Sequence, residues 1–293
     1  MERERIIVSL TTYRKRISNI PVVLDTIFAQ TLPPDFVVLN LATDEVVPEK
    51  VQIYIDSHPI EINRGPDTKV FKKLIPTLKK YPDDCIISID DDFLYPKEMI
   101  ADFIHIHNLY PNNPISGNEV VLERMQCHCG CASLTKYAFF EGQLCLIDED
   151  LVSHCKCDDI VYTYFANRSG HPYVRTKGLY FNNMPSYNEG ESYSVIVGEG
   201  TGIKDTYNYL VNRFGQLKRD TFTTYFQGAD PYIISLIEDI YEKSISSKVY
   251  LQAYQQGVSE MKSSCPFRIG SLILMPFMFL RNIYDSFMNK NKC

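Results

Sequence analysis

The sequence predicts an α/β fold in which a mostly parallel sheet is flanked by helices and followed by a mainly helical C-terminal extension. Two observations predict it. Short β-branched runs alternate with segments of helical periodicity over the first 110 residues, the pattern of strand–helix–strand units. One such run, Cys85-Ile86-Ile87-Ser88-Ile89, passes directly into Asp90-Asp91-Asp92. Three carboxylates therefore stand where a buried strand leaves its sheet, the edge at which open α/β sheets bind ligands.

The elements follow in order. Ile6-Ile7-Val8-Ser9-Leu10 reads as the first strand. Ile17, Ile20, Val23, Leu24, Ile27 and Phe28 then fall on one helical face, with Ser18 as a cap and Pro21 in the first turn. Residues 36–41 form a second strand that ends near Asp44; a short helix over 48–56 and a strand near 59–62 come next. Val70, Phe71, Leu74, Ile75 and Leu78 mark a helix bent at Pro76, which leads to the strand over 84–89. Pro96 opens another helix, with Met99, Ile100, Phe103, Ile104 and His107 on one side. Strands 6–10, 36–41 and 84–89 are expected to lie parallel in one sheet. From 111 to 195 Tyr, Gly and polar residues loosen the pattern, as suits a substrate-facing half, and residues 203–260 read as mostly helical. The expected division is a catalytic domain over 1–200 (donor half 1–110, acceptor half 111–200), a helical extension over 201–264 and an apolar, basic tail over 265–293.

With 45% hydrophobic and 23% charged residues in 293, the chain is ordinary globular material. A net charge of −6 with no basic stripe argues against a nucleic-acid partner. The N-terminus shows no charged region followed by a long apolar stretch, so a cytoplasmic protein is expected, with its nine cysteines reduced.

Three adjacent aspartates repel one another unless something positive neutralises them. A divalent metal carrying a diphosphate does this well, because Mg²⁺ and Mn²⁺ prefer hard oxygen ligands; otherwise the three form a solvated acidic turn. Three further clusters accompany them. Thr11-Thr12-Tyr13-Arg14-Lys15-Arg16, at the end of the first strand, faces the same sheet edge and offers hydroxyls and guanidinium groups to a nucleobase and phosphates. Taken alone, it is a basic surface turn. Arg64-Gly65-Pro66-Asp67-Thr68-Lys69 shapes a tight turn in which Thr68 can cap a helix, whose N-terminus with Lys69 offers an anion site. Asp158 and Asp159 open a further helix, either as N-caps or as a general base within reach of a sugar hydroxyl.

Together these residues resemble bacterial glycosyltransferases of the GT-A fold, a Rossmann-like nucleotide-diphospho-sugar transferase fold, related broadly to family 2. The resemblance rests on Ser9-Leu10-Thr11-Thr12-Tyr13, Gly65-Pro66-x-Thr68-Lys69, the D-x-D motif of Asp90-Asp91-Asp92 followed by Tyr95-Pro96, and Asp158-Asp159, in that order over residues 5–185. It implies that Thr11, Tyr13, Arg14 and Asp44 contact the nucleotide, with Lys69, Asp90 and Asp91 also at the donor. It implies a divalent metal, Mn²⁺ or Mg²⁺, on Asp92 and Asp90, and a catalytic base at Asp159 or Asp158 in an inverting enzyme. The donor would be a nucleotide-sugar, the acceptor a glycan or lipid-linked glycan, and the setting surface polysaccharide synthesis. The chain departs from the family pattern at Phe140-Glu141-Gly142-Gln143-Leu144-Cys145, where a Gly-rich stretch is common, and at Val161-Tyr162, where a Trp is absent. Alternatives from other classes are a non-catalytic nucleotide- or sugar-binding module and a nucleotidyltransferase, although residues 9–16 lack the glycines of a nucleotidyltransferase phosphate loop.

Cys127-His128-Cys129-Gly130-Cys131 and His154-Cys155-Lys156-Cys157 are dense enough for a thiolate zinc site, yet their C-x-C spacing equally suits small core residues on a strand. His105 and His107 read as helix residues, packed or partly exposed, and His171 as an extra ligand for the site metal. In the tail, residues 269–280 form an apolar stretch between Arg268 and Arg281. It is shorter than the roughly 20 residues a spanning helix needs and is interrupted by Pro276. It suits an interfacial segment on the inner face of the cell membrane, with Lys290 and Lys292 meeting anionic headgroups, or else a helix buried against the domain or in a dimer interface.

Overall fold

Each of the three strands expected to lie parallel forms because a β-branched run can be buried on both faces of a sheet. The computed structural model describes residues 4–13, 16–117, 119–122, 125–128, 131–177, 201–217 and 223–226. β1 (Ile6–Thr11), β2 (Phe36–Ala42), β3 (Ile60–Gly65) and β4 (Cys85–Ile89) form the first half of an eight-stranded sheet. β5 (Ile115–Ser116), β8 (Ala132–Thr135), β9 (Val174–Lys177) and β10 (Thr223–Phe226) complete it in the order β10-β9-β5-β8-β4-β1-β2-β3. β1 pairs in parallel with β2 and with β4, setting Val8 opposite Val37 and Ile87. β8 runs antiparallel to both β4 and β5, whereas β5–β9 and β9–β10 are parallel. β6 (Glu119–Leu122) and β7 (Met125–His128) make a separate antiparallel ribbon. The expected α/β fold class is the one found.

Helices cover both faces. Ile6, Val8, Leu10, Ile87 and Ile89 share a core with α1 (Ile20–Phe28), α2 (Glu49–Asp56) and α4 (Met99–Leu109). Ile7, Val38 and Ile86 point the other way. They meet Phe71 of a 3-10 turn (Lys69–Lys73), α3 (Ile75–Lys80), α5 (Glu149–His154), α6 (Asp158–Arg168) and α7 (Thr201–Phe214). This is the alternation a two-sided sheet requires. β10 and α7 belong to the unit over residues 1–227; residues 228–293, including the apolar tail, lie outside the described residues.

Several local expectations are corrected. Ser18 does not cap the first helix: a 3-10 turn (Ile17–Asn19) precedes α1, whose N-cap is Asn19, with no capping side-chain bond. The helix expected to bend at Pro76 is instead two pieces, because proline cannot donate within a helix but is tolerated at the start of α3. Asp67, not Thr68, meets the free amide there: its Oδ1 accepts from Lys69 N at 3.0 Å. The helix after Pro96 starts at Met99. Within 203–260, Thr223-Thr224-Tyr225-Phe226 is a strand, as its β-branched and aromatic residues favour.

Candidate active site

The C-terminal edge of the parallel strands collects carboxylates from two distant parts of the chain. Asp90, Asp91 and Asp92 leave β4; Asp158 and Asp159 occupy the first turn of α6, whose N-cap position is Cys157. Both aspartates of α6 are buried, so they are not the solvent-facing N-caps that their position at a helix start allowed.

Lys73 joins the two groups. Its Nζ lies 2.9 Å from Asp90 Oδ1, 3.2 Å from Asp158 Oδ2 and 3.4 Å from Asp159 Oδ1, and the side chain is buried. Burial opposes its charge, but Asp158, Asp159 and Asp90 outweigh that and raise the ammonium well above the usual lysine range. Asp158 is pushed up to about 7, first by burial and then by Asp159 and Asp90, against the pull of Lys73.

Arg16 holds the other two aspartates. Its buried guanidinium contacts Asp91 and lies 2.7 Å from Asp92 Oδ2. Burial raises Asp91 to about 6, with Arg16 pulling the other way. Asp92 rises to about 7 through burial and the charge of Asp90, again against Arg16. Asp90 thus faces Lys73, while Asp91 and Asp92 share Arg16. Tyr95 fixes the backbone here: its buried hydroxyl lies 2.9 Å from the amide and carbonyl of Asp90 and from the carbonyl of Cys131. It accepts from the amide and donates to a carbonyl.

A buried polar network holds Lys73 in place. Ser9 Oγ donates to Lys73 O at 2.6 Å and meets Thr77 Oγ1 at 2.6 Å. Asn40 Nδ2 donates to Thr77 Oγ1 at 2.9 Å and to Ser9 Oγ at 3.1 Å, and Asn63 Nδ2 donates to Asn40 Oδ1 at 2.8 Å. Strands β1, β2 and β3 are thereby tied to the segment that carries the lysine.

The remaining sequence-predicted residues are more scattered. Thr11 Oγ1 donates to Asn40 O at 2.7 Å, so its proton is committed to β2. Tyr13 lies under the Arg16 guanidinium, 5.7 Å from ring centroid to Cζ, and Arg14 lies outside the described residues. Asp44 is exposed just after β2. Lys69 is exposed, with φ of 55°, and an anion already sits at the opening of its short helix: Asp67, which also pairs with Lys72. A cleft of about 550 Å³ opens beside the ends of β2 and β3, lined by Asn63, Arg64, Thr68, Lys72 and Lys79 among others. His171 is not drawn to the carboxylates. Its contacts are Asn112 O at 2.7 Å, Glu141 at 3.7 Å and the Phe139 ring. Cys131 and Cys155 are buried; Cys127 and His128 lie on β7, and Cys129 lies outside the described residues.

Sequence reasoning missed Lys73 and Arg16 as site residues. Arg16 had a signal, as the last cation of the run that follows β1; Lys73 had none beyond its place beside Lys72.

No protein-family model matches the chain, and no curated protein matches it. Some solved structures are similar in part. The mannosyltransferase PcManGT from Pyrobaculum calidifontis, in complex with GDP-Man and Mn²⁺, is 17% identical over 59% of this chain and 55% of that one, with a TM-score of 0.46. S. aureus TarS 1-349 in complex with UDP-GlcNAc is 12% identical over 73% of this chain and 74% of that one, with a TM-score of 0.42. A 4-diphosphocytidyl-2C-methyl-D-erythritol synthase is 12% identical over 67% of this chain and 99% of that one, with a TM-score of 0.45. The chain therefore spans little more than half the length of the mannosyltransferase it resembles. Among the described residues no helix is long and apolar enough to cross a membrane.

Proposed function

We propose that the chain is a glycosyltransferase that moves a sugar from a nucleotide-diphosphate donor to a hydroxyl of a glycan or lipid-linked acceptor. The observation that carries this reading is the meeting of Asp90, from the end of β4, with Asp158 and Asp159, from α6, around one buried ammonium. Donor chemistry needs the first acid and acceptor chemistry needs one of the others. Thr11, Tyr13, Arg14 and Asp44 are assigned to the nucleoside, and the cationic cleft with Lys69 to its phosphates. Asp90 and Asp91 complete the donor side.

The fold family implies a divalent cation, and the residues fit one. Asp90, Asp91, Asp92, Asp158 and Asp159 face two cations, Arg16 and Lys73, so negative charge is in surplus. Asp91 Oδ2 is buried without a hydrogen-bond partner, and an all-oxygen donor set suits Mn²⁺ or Mg²⁺. Asp92 and Asp90 would hold the ion, which when bound neutralises the departing diphosphate.

The chain's own groups do the rest. Asp159, or Asp158 beside it, takes the proton of the acceptor hydroxyl as its oxygen attacks the anomeric carbon. The bond from that carbon to the diphosphate oxygen breaks, and the electron pair leaves with the nucleoside diphosphate. Lys73 keeps the acids of α6 and Asp90 within 3.4 Å of one cation, which sets the separation between base and donor. The value of about 7 at Asp158 suits proton transfer near neutrality.

The test is to incubate the full chain with a panel of nucleotide-sugars, Mn²⁺ and glycan acceptors, following thermal stability and released nucleoside diphosphate. Stabilisation by one donor, with release of its nucleoside diphosphate, is expected. Binding without turnover would make the protein a sugar-nucleotide-binding module. Pyrophosphate release from a nucleoside triphosphate would make it a nucleotidyltransferase. The tail over 265–293 is assigned to the inner membrane surface, so its deletion should free the protein from membrane fractions while the remainder stays folded.

A further inference from the structure

At the opposite edge of the sheet, where β1 and β4 begin, a second cluster gathers. Glu4 precedes Ile6 by two residues and so shares its face of the sheet. Cys85 opens β4 in register with Ile6 and is buried in the same core. His107 follows Ile100 and Phe103 on the core-facing side of α4 and is 8% exposed. One carboxylate oxygen, the thiol sulfur and one imidazole nitrogen lie within 4.8 Å of one another, the one such group of three among the described residues. His107 Nδ1 is buried and has no hydrogen-bond partner. Glu4 is exposed, so the cluster is open to solvent on one side.

We propose that Glu4, Cys85 and His107 form a binding site for one thiophilic divalent cation of the Zn²⁺ type, with a water as fourth ligand. Thiolate, imidazole and carboxylate are the ligand set that such a borderline cation takes in tetrahedral geometry. Mn²⁺ and Mg²⁺, which prefer oxygen, have the aspartate edge instead. On binding, the Cys85 S–H bond breaks, the sulfur gives its electron pair to the metal, and the proton leaves to solvent. His107 binds neutral through one ring nitrogen. Metal–ligand bonds of about 2.0–2.3 Å put the ligand atoms about 3.6 Å apart, so the cluster closes slightly around the ion. The exposed Glu4 side chain has the freedom to supply that movement.

Lys136, the residue after β8, competes for the site: its Nζ lies 2.6 Å from Glu4 Oε1. The cation must take Glu4 from it, and the Lys136 side chain, 23% exposed, can turn to solvent. Such a metal would fasten the start of β1 to β4 and α4, away from the carboxylates of the proposed chemistry.

The experiment strips the full chain with a chelator and titrates it with Co²⁺, whose thiolate ligation gives a charge-transfer band in the near ultraviolet. One equivalent should develop the band, and Zn²⁺ should abolish it. Cys85→Ser should lose the band, while the double substitution Cys127→Ser/Cys129→Ser and Asp92→Asn should keep it. Glu4→Gln, which leaves the core intact, should weaken Co²⁺ binding about 10-fold or more, and Lys136→Met should tighten it. No band in the wild-type chain, or a band that survives Cys85→Ser, overturns the proposal. Unchanged affinity in Glu4→Gln does so as well, even if Cys85→Ser fails to fold.

Discussion

The hydroxyl of Ser9, in the interior of β1, donates to the main-chain carbonyl of Lys73 at 2.6 Å, so the lysine that gathers three aspartates is aimed from the sheet itself. Ser9→Ala removes this bond and leaves a buried carbonyl without that donor. The expected cost is about 1–2 kcal/mol. Urea unfolding should show a lower midpoint at unchanged slope; an unchanged midpoint would mean that the bond contributes nothing.

Lys73→Met should be far more damaging, and its cost should depend on pH. Breaking a buried ion pair from one side costs about 3–5 kcal/mol. Asp158 titrates near 7 in the folded chain, above its unfolded value, so its protonation stabilises the fold. That contribution is complete below the ordinary aspartate range and is lost as pH rises through about 7. Without Lys73 the buried acids lose their counter-charge, and the variant should be weakest above that pH and recover on acidification. Equal losses at about pH 8 and about pH 5.5 would refute the electrostatic account.

Tyr95→Phe tests the clamp on the acidic turn. The ring fits the same space, but the hydroxyl that meets Asp90 and Cys131 is gone. About 1 kcal/mol of stability should be lost. A larger relative loss is expected in Mn²⁺-dependent stabilisation, because the backbone of Asp90 is less constrained. A variant with reduced stability and unaltered metal response would assign Tyr95 to the core alone.

Mn²⁺ should raise the melting temperature of the wild type, and Asp92→Asn should abolish the rise while leaving the metal-free protein folded. Protons compete with an ion held as proposed on Asp92, because burial and the charge of Asp90 raise that carboxyl to about 7. Affinity should therefore fall about 10-fold for each unit of pH below 7 at which one proton must be displaced. A pH-independent shift would place the ion elsewhere.

If Asp159 is the base of an inverting transfer, as proposed, Asp159→Asn should lower turnover much more than donor affinity, since a base acts only as the transition state forms. If donor binding drops and turnover at saturation is unchanged, Asp159 belongs to the donor pocket.

The first four strands and most helices were legible because burial on a sheet face or a helix stripe leaves a period in the sequence. Ile7, Val8, Ile86 and Ile87 could hardly be anything but interior strand. α6 shows no such period, and the structure explains why: Ile160 through Ala166 are all buried, so the helix has no solvent face to alternate with. The acidic residues at the ends of β4 and α6 were visible as motifs, but their meeting point was not. Lys73 reads as half of an ordinary surface pair, and its partners stand 17 and 86 residues away in the chain. Caps failed for a similar reason: Ser18 and Thr68 have the right chemistry, but the backbone around each takes a 3-10 turn and leaves the bond unmade.

The pairing of β4 with β8 makes the charged edge a product of contacts distant in the chain. β1, β2 and β3 pair with their neighbours in the chain, each pair joined by a crossover that carries one α-helix. β4 meets β8, β5 meets β9 and β9 meets β10 across stretches of chain longer than either of those crossovers, the non-local pairing that slows folding. α6 lies in the second of these stretches, between β8 and β9 in the sequence. The burial of Lys73 therefore depends on chain far beyond it: only with α6 in place do Asp158 and Asp159 reach its ammonium.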